Sequence, residues 1–284
     1  MEKFVCVNGS DHLQIPNHLL EELSVVHPQD IHMNAGVIFQ VAQGMEQSGW
    51  IRLPFCNTLL AEALGAIPTL SVSGARIKEP AFAKPEELMT IQVQETARLC
   101  AMFEALAQLS KAGKKVAYNI EGPLTLLCAL LPMNKVFSAL RKPVGKQMLS
   151  QVEEWIVRYA EMAVERGAKI ISFADPIATV DILGSQMFVN QYVPCLLQLL
   201  IRLQERFPDT VIHLCGKLTQ SLIDTKQCTL TRWEGQKGQS YGQTLTEFCG
   251  EGGIVGHYCL NYLGASRNYL ELIDFTEKRN ENER

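Results

Sequence analysis

No apolar stretch in this 284-residue sequence approaches the roughly 18 residues that a membrane-crossing helix needs. The opening, MEKFVCVNGSDHLQIP, has neither the charged start nor the apolar block of a secretory leader. An excess of positive charge is missing as well. The 26 Lys and Arg against 30 Asp and Glu leave a net charge of -4, whereas neutralising nucleic-acid phosphates requires clustered cations. No G-x-G-x-x-G follows an early strand and no G-x-x-x-x-G-K-[ST] occurs, which removes the main support for a nucleotide-binding sheet. Internal repeats and low-complexity segments are absent too. These absences predict one cytoplasmic globular domain over 1–284, without nucleic acid or membrane as partner.

Cysteine is not scarce, but it is dispersed. Nine residues lie at 6, 56, 100, 128, 195, 215, 228, 249 and 259, an odd number in a chain far longer than small disulfide scaffolds. Reduced thiols are expected.

What the sequence does contain is alternation. Residues 27–49 carry Val37, Ile38, Val41 and Met45 at helical spacing and break at Gly49; the short apolar run WIRLPF follows. The Gly-, Pro- and Ser-dense stretch 65–85 predicts a long loop or two short hairpin strands. Lys84-Pro85-Glu86-Glu87 begins a helix predicted to reach Gly113. Then come KKVAYNI as strand, PLTLLCALL as helix, QMLSQVEEWIVRYAEMAVERGA as a long helix, and KIISFAD as strand. A helix over roughly 184–206 precedes the strand TVIHLCG and another helix. A strand near CTLTRW, the helix GQTLTEFCG, the strand IVGHYCL and a last helix, SRNYLELIDFTEK, complete the pattern. Continuous apolar strands alternating with amphipathic helices indicate an α/β fold with a parallel sheet covered on both faces. The length suits a (β/α)8 TIM barrel, whose strand ends converge on one catalytic face.

Those ends carry Asn119, Asp175, His213, Cys215 and Cys259. His213 and Cys215 are two apart on a strand, so their side chains share one side, and Gly216 leaves room beside them. One imidazole and two thiolates form a zinc-preferring set, and three protein ligands leave a fourth position for chemistry. Cys228, Cys249 and His257 compete with Cys259 for third place, and Cys259 leads by its position at a strand end. A lone strand histidine in a hydrogen-bonded core and buried cysteines are the plainer explanation.

The segments IHLCGKLTQSL (212–222), ISFADPIATVDILG (171–184), NIEGPLTLL (119–127) and AEALGA (61–66) resemble, in order, stretches of the uroporphyrinogen decarboxylase superfamily. The likeness is greater to its zinc-dependent branch, the methylcobamide:coenzyme M methyltransferases, with an H-x-C-G strand end and a second Cys on the final barrel strand. The resemblance implies a (β/α)8 barrel holding Zn2+ on His213, Cys215 and Cys259. It further implies methyl transfer from a corrinoid protein or methylcobalamin to a small thiol such as coenzyme M. Related readings are methylation of a corrinoid from a methylated substrate, uroporphyrinogen decarboxylase-like activity, and a non-catalytic zinc scaffold in a corrinoid complex. The decarboxylases match less well, because their N-terminal arginine signature has no counterpart before Arg52, and a polycarboxylate substrate needs several cations.

The interval from Cys215 to Cys259 is shorter than in that branch by about one βα unit, which predicts a shortened or incomplete seventh unit. That region supplies a zinc-binding carboxylate in the branch, and Glu234 is the nearest counterpart, with Glu247 and Glu251 behind it. Asp175, before Pro176, either orients His213 or accepts a proton from the thiol, or it caps the next helix. Asn119 and Glu121 are expected on the same face, binding the cofactor or shaping the pocket; Tyr258 and Trp233 are packing candidates. Asp30-Ile31-His32 with Gly36 imitates a cobalt-ligating D-x-H-x-x-G loop, but its glycine is one place late and its periodicity helical.

Overall fold

The computed structural model describes residues 15–25, 27, 29–71 and 74–275. Most of the opening stretch, with Cys6, and the end of the last predicted helix lie outside them.

Among the described residues there are nine strands: β1 (Trp50–Leu53), β2 (Pro68–Ser71), β3 (Gly74–Ile77), β4 (Lys115–Glu121), β5 (Ala168–Ala174), β6 (Val211–Cys215), β7 (Cys228–Glu234), β8 (Ile254–Tyr258) and β9 (Tyr269–Phe275). β2 and β3 are the short hairpin that residues 65–85 suggested. The others make one sheet in the order β1-β4-β5-β6-β8-β9-β7. The first five are parallel, while β9 and β7 join antiparallel. β1 and β7 end the sheet, so the described residues form a curled, mostly parallel sheet rather than a closed ring. The irregularity lies where the short interval placed it, between Cys215 and Cys259, with β7 moved to the far edge.

Alternation along each strand sorts side chains between two cores. Tyr118, Ile120, Ile171, Phe173, Ile212 and Leu214 pack under the outer helices Ala97–Lys111, Pro143–Glu165 and Val193–Arg206. Trp50, Ala117, Ile170, Val211 and Val255 face the other way, against Tyr241, Leu245 and Phe248 of the helix Tyr241–Phe248. That helix occupies the hollow of the sheet. A reciprocal capping box between Ser240 and Gln243 starts it. The Trp50 indole N–H donates to its Gly242 carbonyl at 2.8 Å, tying it to β1.

Three predicted elements differ. The helix expected over 85–113 is a 3-10 turn (Pro85–Thr90), an extended stretch, and the helix Ala97–Lys111. Thr96 caps this helix by accepting from Leu99 N–H. Gln94 N–H instead donates to the Ala63 carbonyl, and the Trp155 indole to the Ile91 carbonyl, so outside partners hold the extended stretch. The span 184–206 is broken by a π-helical turn at Phe188–Tyr192 before the helix Val193–Arg206. The last predicted helix is strand β9 within the described residues.

Candidate functional site

The C-terminal ends of the parallel strands surround a pocket of about 100 Å³. It is lined by Arg52, Pro54, Phe55 and Asn57 from β1 and its exit, Asn119 from β4, and Ser172 and Ala174 from β5. His213 and Cys215 come from β6, and Cys259, Leu260 and Asn261 follow β8. Parallel register produces this convergence: Asn119 is opposite Ser172, and Ser172 opposite His213, so three polar side chains stand in a row across adjacent strands. No Asp or Glu lines the pocket.

His213 is 2% exposed. Burial lowers its pKa to about 4, against a weaker backbone hydrogen bond that raises it, so the imidazole is neutral near pH 7. Its Nε2 lies 2.9 Å from the Tyr241 hydroxyl, and the two rings meet edge to face. Tyr241 packs in turn against Tyr258, their centroids 4.6 Å apart. Cys215 closes β6 and precedes the helix Gly216–Asp224. Cys259 directly follows β8, its Sγ accepting from Asn261 N–H at 3.5 Å. Asn119 donates to the Pro54 carbonyl at 3.2 Å.

The competing third ligands lie elsewhere. His257 directs Nδ1 at Glu271 (2.9 Å) and Nε2 toward Gln220 Oε1 (3.2 Å); Arg267 completes the ion pair with Glu271 at 2.6 Å. Cys228 is buried at the start of β7, where burial pushes its thiol up to about 11. Cys249 ends the inner helix.

Among the described residues, no three His, Cys, Asp or Glu side chains are gathered closely enough to hold a metal ion. His213, Cys215 and Cys259 share the pocket and have the donor chemistry for zinc, but they are not drawn together around one point.

Four other expectations have definite places. The Asp175 carboxylate is fully buried and accepts from Leu124 N–H (2.9 Å), Thr125 N–H (2.8 Å), Thr125 Oγ1 (2.6 Å) and Tyr192 O–H (3.0 Å). It caps the helix Pro123–Leu130, which precedes it in the chain, and not the next helix that it was expected to cap, and it is not among the pocket's lining residues. Gly122 is required beside it, since a Cβ there would lie 2.4 Å from Asp175 Cβ. Glu234 stands apart from the pocket: its side chain is 58% exposed on edge strand β7 and faces Arg232 at 3.7 Å, because antiparallel pairing carries this segment to the sheet's rim. Glu121 is buried and not among the lining residues, and its Oε2 meets no hydrogen-bond partner among the described residues. Burial, then Cys56 and Asp175, hold its carboxyl well above the usual range. His32 is buried and bonds the Ser71 carbonyl at 2.9 Å, a structural contact for the cobalt-motif imitation.

Sequence reasoning passed over Arg52, Ser172 and Tyr241. A charged residue inside the apolar run WIRLPF was the available signal for Arg52, while Tyr241 depends on a helix entering the sheet's hollow. The buried cluster of Arg98 with Glu62 (2.6 Å), Thr58 (2.7 Å) and Cys56 Sγ (3.7 Å) also had no sequence signature.

The sequence pattern of the family described as uroporphyrinogen decarboxylase (URO-D) matches residues 44–237, including His213 and Cys215 and ending before Cys259. Methylcobamide:CoM methyltransferase MtaA of Methanosarcina barkeri is 28% identical over 222 residues, 74% of this chain and 64% of its own length. The corresponding MtbA of Methanosarcina mazei is 25% identical over 186 residues, 61% of this chain and 53% of its own. The chain thus spans less than two thirds of these relatives. A solved methyltransferase from Methanosarcina mazei superposes with a TM-score of 0.63 at 23% identity, covering 75% of this chain and 65% of that one, so the TIM-barrel-like fold is shared. Matched over well more than half its length, this chain belongs to the uroporphyrinogen decarboxylase (URO-D) family.

Proposed function

We propose that this protein moves a methyl group from a methylated corrinoid, free or protein-bound, to a small thiol, with zinc held by His213, Cys215 and Cys259. The observation that carries the reading is that these three side chains line one pocket at the parallel strand ends. The names of its relatives supply the reaction class.

Zinc at these donors would lower the pKa of an entering thiol while two cysteine thiolates keep the sulfur electron-rich and nucleophilic. The chain's own residues do the rest. Burial keeps His213 neutral and so able to donate a lone pair. Tyr241 fixes the ring's orientation through Nε2, the outer-shell part that a ligating imidazole requires. Pro54, Phe55, Ala174 and Leu260 are the apolar lining that excludes water from a reacting thiolate. The sulfur attacks the methyl carbon as the cobalt–carbon bond breaks, and the bonding pair stays on cobalt, leaving a thioether and Co(I).

Purified, zinc-supplemented protein incubated with methylcobalamin and 2-mercaptoethanesulfonate should convert the methyl-cobalt spectrum and yield the thioether. Cys215→Ala and Cys259→Ala should each abolish the conversion. The scaffold reading, a non-catalytic zinc-binding barrel, is favoured by one observation, the shortened interval between Cys215 and Cys259 with β7 at the sheet's far edge. It prevails if zinc binds stoichiometrically while no thiol is methylated and methylcobalamin is not consumed. Transfer in the opposite sense would appear as corrinoid methylation from a methylated substrate. Decarboxylation of a polycarboxylate is disfavoured by a pocket with a single arginine.

A further inference from the structure

β7 is an open edge of the large sheet. It pairs with β9 through all of its residues without a register shift, and its sequence CTLTRWE contains neither Pro nor Lys. Edge strands are ordinarily blunted by such residues, by bulges or by being short. The opposite edge, β1, is only four residues long, and Trp50 already exchanges both backbone bonds with Gln47, at 2.9 and 3.0 Å. The Gly235 N–H donates to the Asn268 carbonyl at 2.7 Å, one step beyond the β7–β9 ladder. Backbone direction alternates along an antiparallel pair, so Thr229, Thr231 and Trp233 face β9, while Cys228, Leu230, Arg232 and Glu234 aim N–H and C=O outward. Among the described residues, none of these outward groups bonds the backbone of another element.

The side chains at that edge complement themselves. Half-buried Trp233 meets the Phe248 ring edge to face, and it stands between the exposed Arg232 and Glu234. The Tyr269 ring holds the Arg232 guanidinium on the strand's face, 3.8 Å from its centroid. We propose that β7 pairs antiparallel with the β7 of a second copy of this chain, about a two-fold axis at Trp233, joining two sheets into one. That register sets Arg232 opposite the partner's Glu234 and Glu234 opposite the partner's Arg232, with the two indoles side by side at the axis. Both charged residues face outward, so each pair also exchanges its backbone bonds. Centring the axis on Arg232 would instead oppose two guanidiniums. The ladder and the indoles supply the affinity; exposed charge pairs contribute little each and fix the register.

The test is sedimentation velocity of the full chain across a micromolar concentration series, with each variant's fold checked by circular dichroism. Wild type should dimerise. Arg232→Glu and Glu234→Arg each oppose like charges twice and should weaken the dimer roughly tenfold or more. The double exchange Arg232→Glu with Glu234→Arg restores both pairs and should return to within about threefold of wild type. Mixing the two single variants should produce a mixed dimer, which repulsion inside one chain could not do. Amide hydrogen exchange reads the same edge: Arg232 and Glu234 should gain protection on dimerisation, while Trp233, already facing β9, should not. A chain that stays monomeric throughout, or a dimer indifferent to both reversals, overturns the proposal. So does failure of either the double exchange or the mixture to restore association.

Discussion

The Nε2 of His213 and the hydroxyl of Tyr241 lie 2.9 Å apart, joining a central strand to the helix that fills the sheet's hollow. Both groups are buried, and each is the other's hydrogen-bond partner. Tyr241→Phe keeps the ring packed on Tyr258 but strands a buried imidazole nitrogen, so stability should fall by about 1–3 kcal/mol in urea unfolding. Zinc affinity should fall roughly tenfold or more, the usual cost of removing an outer-shell partner. Unchanged stability and affinity would show that the contact does not hold the ring.

His213 should also make the metal-free protein acid-sensitive. Unfolded, it takes a proton near its ordinary 6.5; folded, burial keeps it neutral down to about pH 4. Between these values the unfolded chain binds more protons, so the contribution is complete above pH 6.5 and is lost as pH falls toward 4, by roughly 3 kcal/mol. Urea unfolding at pH 7.5 and pH 4.5 should show a smaller acid loss in His213→Asn than in wild type. Equal losses would contradict a buried neutral imidazole.

Asp175 is predicted to serve architecture rather than proton transfer. Asp175→Ala removes the cap of Pro123–Leu130 and leaves the buried Tyr192 hydroxyl without its acceptor, costing about 3 kcal/mol. Gly122→Ala should destabilise through the same group, because its Cβ would collide with Asp175. Where Asp175→Ala remains folded, its zinc content should match wild type; loss of zinc would restore the carboxylate to the site.

Glu234→Ala should change stability by less than about 0.5 kcal/mol and leave zinc content unaltered, since among the described residues the side chain pairs with Arg232 alone, at an exposed edge. A loss of zinc would bring β7 back into the site.

The parallel core and the pocket's ligand-type residues were legible in the sequence because strand physics is local there. Apolar runs buried on both faces, a two-residue His213–Cys215 spacing and a glycine break need no distant partner to be recognised. β9 was not legible. Leu270 and Ile273 mimic helical spacing, and Glu271 spoils the strand signature because it is buried only by virtue of His257 and Arg267. The 85–113 helix was overdrawn for a related reason: its polar middle gives backbone groups to Ala63 and Trp155, partners far away in sequence. Arg52 became a candidate only when the pocket put it beside Cys259.

The most direct measurement is zinc per chain in purified wild type, His213→Ala, Cys215→Ala, Cys259→Ala and His257→Ala, each checked for folding by circular dichroism. The account predicts one zinc per wild-type and His257→Ala chain and loss of zinc in the other three. Loss only in the His257 variant, or no zinc in wild type after supplementation, would contradict it.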